Sequence, residues 1–461
     1  MPIPFVDRSS SSLPVQFVAQ PRWRSWLKEL SAARRGWVES LHIAGEPGDL
    51  VVLPGRDGRA SGAVLVISAK PTLWDFGGLA TRLPAGTWKL ASDAAPVSMT
   101  DVAIAIGLGA WRFERYKARK TRQGPRFTWP EGADRARATA AIEAISLARD
   151  LITTPSSDMG PAELAEAARE LAKAHGAKCR VIVGEDLLKQ NYPMIHAVGR
   201  ASTRAPRLID LVWGNEGAPK VTLVGKGVCF DTGGLDLKPA TGMLNMKKDM
   251  GGAATMLAVA AMVMAAGLPV RLRLLVPAVE NSVSGNAFRP LDVVPTRKGI
   301  SVEIGNTDAE GRLILCDALY EGASEKPAMM VDCATLTGAA RVALGTDLPA
   351  LFCNDDGLAD DLVAAGRDVT DPMWRMPLFA GYRRLLDSKV ADINNVSAGG
   401  FGGAITAALY LQEFVPDDVP WAHFDMMAWN NTSRPGRPEG GEAQAARAIF
   451  RTIEKRLVET D

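Results

Sequence analysis

Two segments of the sequence concentrate charged residues among glycines and apolar side chains. The first, residues 224–254 (VGKGVCFDTGGLDLKPATGMLNMKKDMGGAA), contains Lys226, Asp231, Lys238 and Asp249. Charges in such surroundings are costly unless they are paired or bind a metal ion. This segment is therefore a candidate for binding or catalysis and is atypical of a solvated surface.

The second segment, residues 304–319 (IGNTDAEGRLILCDAL), contains Asp308, Glu310 and Arg312. Its pattern is typical of the start of a helix, where Thr307 or Asp308 could cap free backbone N–H groups. Capping does not account for Glu310 and Arg312 as well. The seven residues named in the two segments thus supply four carboxylates and three basic side chains.

Four carboxylates that converge repel one another unless divalent cations neutralise them. Carboxylate oxygens with a lysine amine suit Zn²⁺, Mn²⁺ or Mg²⁺. The four histidines lie outside both segments, and neither an HExxH zinc helix nor a GxSxG nucleophile motif is present. The residues alone predict a metal centre built from carboxylates and lysine.

The elements that must position these residues alternate between helix and strand. Apolar residues three and four positions apart, among strong helix formers, predict a long helix over 133–151. A second helix is predicted from Pro161 to Gly176. Further strands are predicted at 178–183, 207–213, 220–224, 270–276 and 328–333, with helices over 251–266 and after Asp308. This order predicts an α/β domain with a mostly parallel sheet flanked by helices. Ligands of such sheets bind at the carboxyl ends of the strands, where the polar segments fall.

Length and composition limit the class of protein. A chain of 461 residues suggests two domains, and 47% hydrophobic residues with 53 basic against 52 acidic side chains is typical of a globular protein. The net charge of +1 requires neither nucleic acid nor membrane as a partner. The apolar stretch 250–266 is rich in small residues, which favours a buried helix over a membrane span.

Three further features bear on compartment and partners. The N-terminus lacks a signal-peptide pattern, and five single cysteines without a CxxC pair are typical of buried free thiols in a reducing compartment. Both predict a cytoplasmic protein. Residues 111–126 hold seven basic residues and one acidic one, which could form an anion-binding surface, but a solvated helix end and linker is the favoured interpretation.

Three stretches resemble the signature sequences of the leucyl aminopeptidase family (cytosolic aminopeptidases, peptidase family M17). They are VGKGVCFDTGG, NMKKDMGGAA and NTDAEGRL, in the family's order and spacing. The resemblance extends to RDLITTPSSDMGP, ENSVSGNAFRPLDVV, DCATLTGAA and KVADINN, and so covers about the last two thirds of the chain. It implies a smaller N-terminal α/β domain (1–130), a linking helix (131–152) and a catalytic peptidase domain (153–461).

The resemblance also implies the roles of the metal ligands. Asp231 and Glu310 would bridge two divalent ions, Mn²⁺, Zn²⁺ or Mg²⁺. Asp308 would complete the more exchangeable site, and Lys226 and Asp249 the tighter one. A lysine ligand must be neutral, which adjacent dications make possible by lowering its pKa.

Catalysis would use residues that do not bind metal. By the resemblance, Lys238 would polarise the scissile carbonyl, while Arg312, with Gly311 and Leu336, would hold bicarbonate as a general base. The metals would activate water and hold the free α-amine of a peptide. The implied activity is release of N-terminal amino acids.

The resemblance assigns a substrate pocket as well, in which Leu and other apolar first residues are favoured. Its residues would be Met246, Asn306, Thr335, Leu336 and Gly338. Four residues depart from the family pattern: Leu291 replaces a usual glycine, Cys229 a common threonine, and bulky Met427 and Trp429 stand at a pocket wall.

The resemblance implies peptide substrates and a homohexamer. Two alternatives come from other classes of protein. A binding or regulatory protein could use residues 111–126 on nucleic acid, although the complete set of seven active-site residues favours an enzyme. A dinuclear phosphatase is disfavoured by the lysine ligand and by the specific octapeptide NTDAEGRL.

Overall fold

The computed structural model describes residues 3–91, 97–118 and 124–459. These residues form two compact units. One comprises residues 1–146 with 431–439, and the other comprises 147–430 with 440–461. The boundary at residue 146 falls within a long helix, Arg135–Thr153, which covers most of the range 131–152.

The first unit contains a six-stranded sheet. Its strands are β1 Phe5–Val6, β2 Leu13–Ala19, β3 Leu50–Pro54, β4 Ala60–Ile67, β5 Thr87–Leu90 and β6 Arg126–Thr128, in the order β1-β6-β5-β2-β4-β3. The helices are α1 Trp23–Glu29, α2 Ala32–Ser40, α3 Leu79–Arg82, α4 Met99–Ala110 and α5 Arg135–Thr153. Val64 and Val66 of β4 pack with Trp23 and Trp26 in one core cluster. Residues 119–123 of the basic stretch 111–126 lie outside the described residues, so the structure does not test its interpretation.

The second unit contains the main sheet and several short strands. Its strands are β7 Lys178–Val183, β8 Arg207–Trp213, β9 Lys220–Gly225, β10 Gly227–Asp231, β11 Arg271–Asn281, β12 Val293–Pro295, β13 Ser301–Glu303, β14 Met329–Ala334, β15 Ala350–Cys353, β16 Trp374–Arg375, β17 Ile393–Asn394, β18 Trp421–Asp425, β19 Trp429–Asn430 and β20 Gly440–Gly441. The main sheet has the order β16-β15-β18-β14-β9-β11-β8-β7, with β10 also paired to β11. Its centre, β18-β14-β9-β11, is parallel, whereas β8 pairs antiparallel with both β11 and β7. The predicted mostly parallel α/β sheet is confirmed.

Helices surround the central strands. They are α6 Pro161–His175, α7 Asp186–Lys189, α8 Pro193–Gly199, α9 Ala240–Met243, α10 Gly251–Ala265, α11 Glu310–Ala323, α12 Gly338–Leu344, α13 Asp356–Asp368, α14 Gly403–Gln412 and α15 Ala446–Leu457. By length and composition, the described stretch Met246–Ala265 could cross a membrane, but 94% of its apolar window is buried inside the protein. The predicted buried helix at this position is confirmed.

Local details depart from the sequence predictions. The strand predicted over 220–224 continues, after a break at Lys226, as β10, so Asp231 ends a strand that the sequence did not predict. Glu280 and Asn281, predicted to follow a strand, are the last two residues of β11. Cys179 is only half-buried, whereas the other four cysteines are buried, and all five are free thiols.

Candidate metal centre and active site

The predicted metal ligands lie at the carboxyl ends of the central strands, where an α/β sheet binds its ligands. Lys226 occupies the break between β9 and β10, and Asp231 is the last residue of β10. Asp249 lies in a short 3₁₀ turn before α10. Asp308 and Glu310 lie at the start of α11. Five residues spread over 85 positions of the sequence are thereby brought to one edge of the sheet.

The carboxylates converge, and two lysine ammonium groups lie among them. One oxygen each from Asp231, Asp308 and Glu310 lie within 4.8 Å of one another. Lys226 Nζ lies 2.8 Å from Asp249 Oδ2 and 2.9 Å from Glu310 Oε1. Lys238 Nζ lies 2.8 Å from Asp231 Oδ2 and also contacts Asp308. The structure thus brings together all five predicted ligands and Lys238.

The close approach of α11 to Lys226 requires a glycine. A Cβ atom built on Gly311 would lie 2.4 Å from Lys226 Cε and 2.8 Å from its Nζ. Any larger residue at position 311 would therefore push the lysine away from its carboxylates. The structural role of Gly311 seen here is to make room for Lys226.

The start of α11 is not capped as the alternative interpretation predicted. The N-cap residue is Ala309, and no side chain caps the helix. The Thr307 hydroxyl instead donates to the carbonyl of Gly233 at 2.6 Å and accepts from the N–H of Asp236 at 2.8 Å. Thr307 therefore joins the two charged segments, and Asp308 remains available to the cluster.

Two side chains orient the ligands Asp231 and Asp249, and the sequence assigned neither this role. Asn281 donates from Nδ2 to Asp231 Oδ1 at 2.9 Å and to the carbonyl of Thr307 at 3.1 Å. The hydroxyl of Thr335, predicted as a pocket residue, donates to Asp249 Oδ1 at 2.7 Å. The sequence could have indicated Asn281 as a site residue, because it is a polar residue at the end of a buried apolar strand.

Two further residues hold the backbone around the site. Asn395 accepts from the N–H of Gly305 at 2.7 Å and donates to the carbonyl of Asn306 at 2.8 Å. Asp425, at the end of β18, accepts from the N–H groups of Leu336 and Thr337 at 3.1 and 3.0 Å. Asn395 lies in the KVADINN match, whereas no signal in the sequence marked Asp425.

Arg312 lies one residue beyond Gly311, on α11, and is buried. Its Nη1 donates to the carbonyl of Asn395 at 2.7 Å, and its Nε has no hydrogen-bond partner among the described residues. Burial lowers the pKa of Arg312. The guanidinium thus lies close to the centre with donor capacity to spare, but it bonds backbone and not a carboxylate of the cluster.

The predicted pocket residues lie on three segments beside the cluster. Met246 begins the 3₁₀ turn that carries Asp249, and Gly338 begins α12. Thr335 and Leu336 precede α12 and are tied to Asp249 and Asp425 respectively. Asn306 accepts the N–H of Asp308 at 2.7 Å, which makes it a support of the ligand segment.

The electrostatics of the cluster reveal an excess of negative charge. Burial raises the pKa of Glu310 well above its usual value, and Asp231 adds to the increase against the effect of Lys226. Burial, followed by Asp231, raises the pKa of Asp308 to about 6, although Lys238 opposes this. Burial lowers the pKa of Lys226, but Asp249 and Glu310 outweigh it, so the net pKa is raised. The carboxylates compete for too few cations.

The residues fit a divalent metal. Four carboxylates contact only two ammonium groups, and Oε2 of Glu310 is buried without a hydrogen-bond partner among the described residues. A buried carboxylate oxygen without a partner costs free energy that a metal–oxygen bond offsets. The donor set of carboxylate oxygens and a lysine nitrogen suits Mn²⁺, Zn²⁺ or Mg²⁺.

These features define an α/β protein with a cluster of carboxylates and lysines, suited to divalent metal, at the edge of its main sheet. Two family models match the chain: the catalytic domain of the cytosol aminopeptidase family over residues 146–450, and the N-terminal domain of M17 aminopeptidases over 13–130. The chain belongs to the cytosol aminopeptidase family, and its membership of that family makes it an aminopeptidase.

Individual relatives agree with this assignment. A probable cytosol aminopeptidase of Rhodococcus opacus (strain B4) is 40% identical over 396 residues, which cover 82% of this chain and 78% of the relative. The crystal structure of the cytosol aminopeptidase of Coxiella burnetii matches with a TM-score of 0.95 at 47% identity, covering 98% and 99% of the two chains. The bottromycin maturation enzyme BotP in complex with Mn matches with a TM-score of 0.87 at 34% identity, covering 97% and 100%.

Proposed function

We propose that this protein is a dinuclear metal-dependent aminopeptidase of the leucyl aminopeptidase type, which releases N-terminal amino acids from peptides. The contact of buried Lys226 with both Asp249 and Glu310 carries the proposal. A lysine amine among buried carboxylates is an unusual donor set, and it occurs here in a family of aminopeptidases. The BotP relative was solved with Mn, which supports Mn²⁺ as one suitable ion.

Five residues would hold the two ions: Lys226, Asp231, Asp249, Asp308 and Glu310. When bound, the ions supply an activated water and a site for the free α-amine. Glu310 shares Lys226 with Asp249 and has an oxygen within 4.8 Å of oxygens of Asp231 and Asp308, which supports a place for it beside both ions. Asn281 and Thr335 keep the carboxylates of Asp231 and Asp249 in orientation.

Lys238 would act on the substrate. Its side chain is 15% exposed, whereas that of Lys226 is 3% exposed, so its ammonium borders the space open to a peptide. From there it can donate to the scissile carbonyl and stabilise the negative charge that develops on the oxygen. Lys238 would leave Asp231 and Asp308 for this role when those carboxylates hold metal.

Arg312 would serve proton transfer. A bicarbonate ion held by Arg312, with the backbone at Gly311 and Leu336, would supply a general base. The Nε donor without a partner among the described residues supports an anion at this position. The N–H of Leu336 donates to Asp425 Oδ1 at 3.1 Å in this structure, so the donors open to the ion are those of Arg312.

The pocket beside the metals would receive the first side chain of the peptide. Met246, Thr335, Leu336 and Gly338 form its expected lining, with Asn306 supporting Asp308. The thioether of Met246 favours Leu and other apolar side chains. By the family resemblance, Met427, which is half-buried on the segment after β18, would stand at the wall of this pocket.

A substrate panel tests the proposal. Purified protein loaded with Mn²⁺ or Zn²⁺ should release p-nitroaniline from Leu-p-nitroanilide and amino acids from dipeptides. Chelation should abolish the activity, and Mn²⁺ or Zn²⁺ should restore it. A blocked α-amine on the same substrate is the control, because it removes the group that defines an exopeptidase. If the metal-loaded protein cleaves none of the panel, the proposal is wrong.

The proposal includes a cytoplasmic homohexamer acting on peptides, without membrane or nucleic-acid partners. The relatives named cytosol aminopeptidase support the compartment. Sedimentation equilibrium tests the hexamer, and a monomer at micromolar concentration would contradict it.

A further inference from the structure

The segment of residues 426–428, between β18 and β19, packs against the turn that carries Asp249. Within it, Ala428 is fully buried. A Cβ atom built on Gly251 would lie 2.3 Å from Ala428 Cβ, so the methyl group of Ala428 lies directly against the backbone of Gly251. Gly251 is the first residue of α10 and follows Asp249 by two positions. Ala428 therefore contacts the backbone that leads out of the ligand turn.

The same contact reaches the Asp249 carboxylate by way of Thr335. A Cβ atom on Gly251 would also lie 3.3 Å from Thr335 Cγ2, so Ala428, Gly251 and Thr335 meet at one point. The Thr335 hydroxyl donates to Asp249 Oδ1 at 2.7 Å and lies 3.1 Å from the carbonyl oxygen of Asp249. Ala428 is thus packed against both the turn in which Asp249 lies and the side chain that orients its carboxylate.

Gln444 holds this segment in place. The residue lies on the segment before α15 and is 7% exposed. Gln444 Oε1 accepts the N–H of Met427 at 3.1 Å and the N–H of Ala428 at 2.8 Å. Its Nε2 donates to the carbonyl of Thr346, in the loop after α12, at 2.9 Å. An amide suits this place because it offers an acceptor and donors on one group. One side chain thereby ties the segment after β18 to the loop after α12.

Ala428 needs such support because its backbone is strained. Its φ of 53° lies in the left-handed region, which is unfavourable for alanine. The N–H of Ala428 donates to Gln444, and its carbonyl accepts the N–H of Glu442 at 3.1 Å. Loss of the Gln444 oxygen would leave two backbone N–H groups without this acceptor, and that of Ala428 is buried, which makes the loss costly. The strained segment would then relax, and the Ala428 methyl group would move relative to Gly251.

We propose that Gln444 is a positioning residue of the metal centre. By holding Ala428 against Gly251, it keeps Asp249 in place as a metal ligand. This inference rests on the proposed function, in which Asp249 is a ligand of the tighter ion. A glutamine with a structural role alone would contribute only to the free energy of unfolding, whereas a positioning residue also changes the affinity for the ion.

Calorimetric titration of the metal-free protein with Mn²⁺ tests this proposal. Gln444→Met keeps the approximate size of the side chain and removes its acceptor. The affinity of the tighter Mn²⁺ site should then fall by about tenfold, since loss of a group that orients a ligand typically costs about 10–100-fold. Gln444→Glu keeps an oxygen that can accept both N–H groups and should retain most of the affinity. Equal affinities in the wild type and Gln444→Met overturn the inference, as does a loss in Gln444→Glu as large as that in Gln444→Met.

Asn354→Leu is the matched control, at the other end of β18. Asn354 Oδ1 accepts the N–H of Trp421 at 2.8 Å, and its Nδ2 donates to the carbonyl of Val419 at 3.0 Å, so it makes the same kinds of hydrogen bond as Gln444. Its substitution should lower the free energy of unfolding, measured with denaturant, and leave the Mn²⁺ affinity unchanged. A loss of Mn²⁺ affinity equal to that in Gln444→Met would show general destabilisation and overturn the inference.

Ala428→Gly tests the contact with Gly251 directly and does not depend on the folding of the Gln444 variants. Glycine adopts a φ of 53° without strain and keeps the N–H that donates to Gln444, so this variant should fold. It removes only the methyl group that lies against Gly251. The tighter Mn²⁺ site should again weaken by about tenfold. An unchanged affinity overturns the inference, because the contact would then not reach Asp249.

These titrations use no peptide, so they separate the inference from the proposed function. A wild type that binds Mn²⁺ but releases no amine from any anilide or dipeptide overturns the proposed function, and the Mn²⁺ affinities of the variants still decide the inference. A wild type that cleaves Leu-p-nitroanilide, with the same Mn²⁺ affinity in Gln444→Met, overturns the inference alone.

Discussion

His423 Nδ1 lies 2.6 Å from Oδ1 of Asp332, and both side chains are fully buried between neighbouring strands of the main sheet. The other oxygen of Asp332 accepts the indole N–H of Trp421 at 2.7 Å. The one histidine near the catalytic strands is thus committed to an internal ion pair and does not bind metal.

Asp332→Asn should destabilise the protein in a pH-dependent way. Burial lowers the pKa of His423, but Asp332 outweighs it, so the pKa lies above its usual value. A histidine whose pKa is raised on folding stabilises the folded protein fully at pH values below its unfolded-state pKa of about 6.5. This stabilisation is lost as the pH rises through the folded-state pKa. The free energy of unfolding should therefore fall by about 3–5 kcal/mol at pH 6 and by less at pH 9.

Denaturant unfolding at the two pH values measures this difference. Trp421→Phe is the control, since it removes the second hydrogen bond to Asp332 without removing a charge. The loss of free energy of unfolding in Trp421→Phe should be nearly the same at pH 6 and pH 9. A pH-independent deficit for Asp332→Asn would show that His423 is neutral in the folded protein.

Asp249→Ala and Lys238→Ala should separate metal binding from catalysis. Asp249 is 3% exposed and pairs with Lys226, so its loss should lower the metal content per subunit and abolish activity. Lys238 borders the open side of the cluster, and its loss should leave the metal content unchanged while kcat falls by about 10²–10³. Metal analysis and steady-state kinetics on both variants check this. Equal metal loss in the two variants would contradict the roles assigned.

Gly311→Ala should weaken metal binding without unfolding the protein. The added methyl group would lie 2.4 Å from Lys226 Cε, so the lysine must move away from Asp249 and Glu310. Displacing a ligand in this way typically lowers metal affinity by about 10–100-fold. Calorimetric titration with Mn²⁺ measures the effect, and Gly285→Ala is the control because its Cβ would meet open space. An unchanged Mn²⁺ affinity would show that Lys226 is not held as a ligand.

Leu291→Gly should stabilise the protein. Leu291 has a φ of 70° and is 72% exposed. The left-handed conformation costs an L-residue about 1–2 kcal/mol, and the greater freedom of glycine in the unfolded chain offsets about half of the gain. Thermal unfolding should show a higher melting temperature, corresponding to an increase of about 0.5–1 kcal/mol in the free energy of unfolding. Leu244→Gly, at an exposed residue with φ of −47°, should instead lower stability.

The sequence by itself determined several central strands and helices of the second unit and the residues proposed for its centre. The runs of β-favouring residues predicted the exact bounds of β7 and β8. Pro161 and Gly176 predicted the two ends of α6, and Gly176 has the left-handed φ of 68° that glycine adopts readily at a helix end. These are local features, decided within a few residues. The charged side chains among glycines were recognisable for a similar reason, because burial of charge is unfavourable wherever it occurs.

Only the tertiary structure decided how these residues meet. The break at Lys226 between β9 and β10 depends on pairing with β11, some 50 residues away, and no local pattern marks it. The roles of Asn281, Asn395 and Asp425 depend on partners 26 to 90 residues distant.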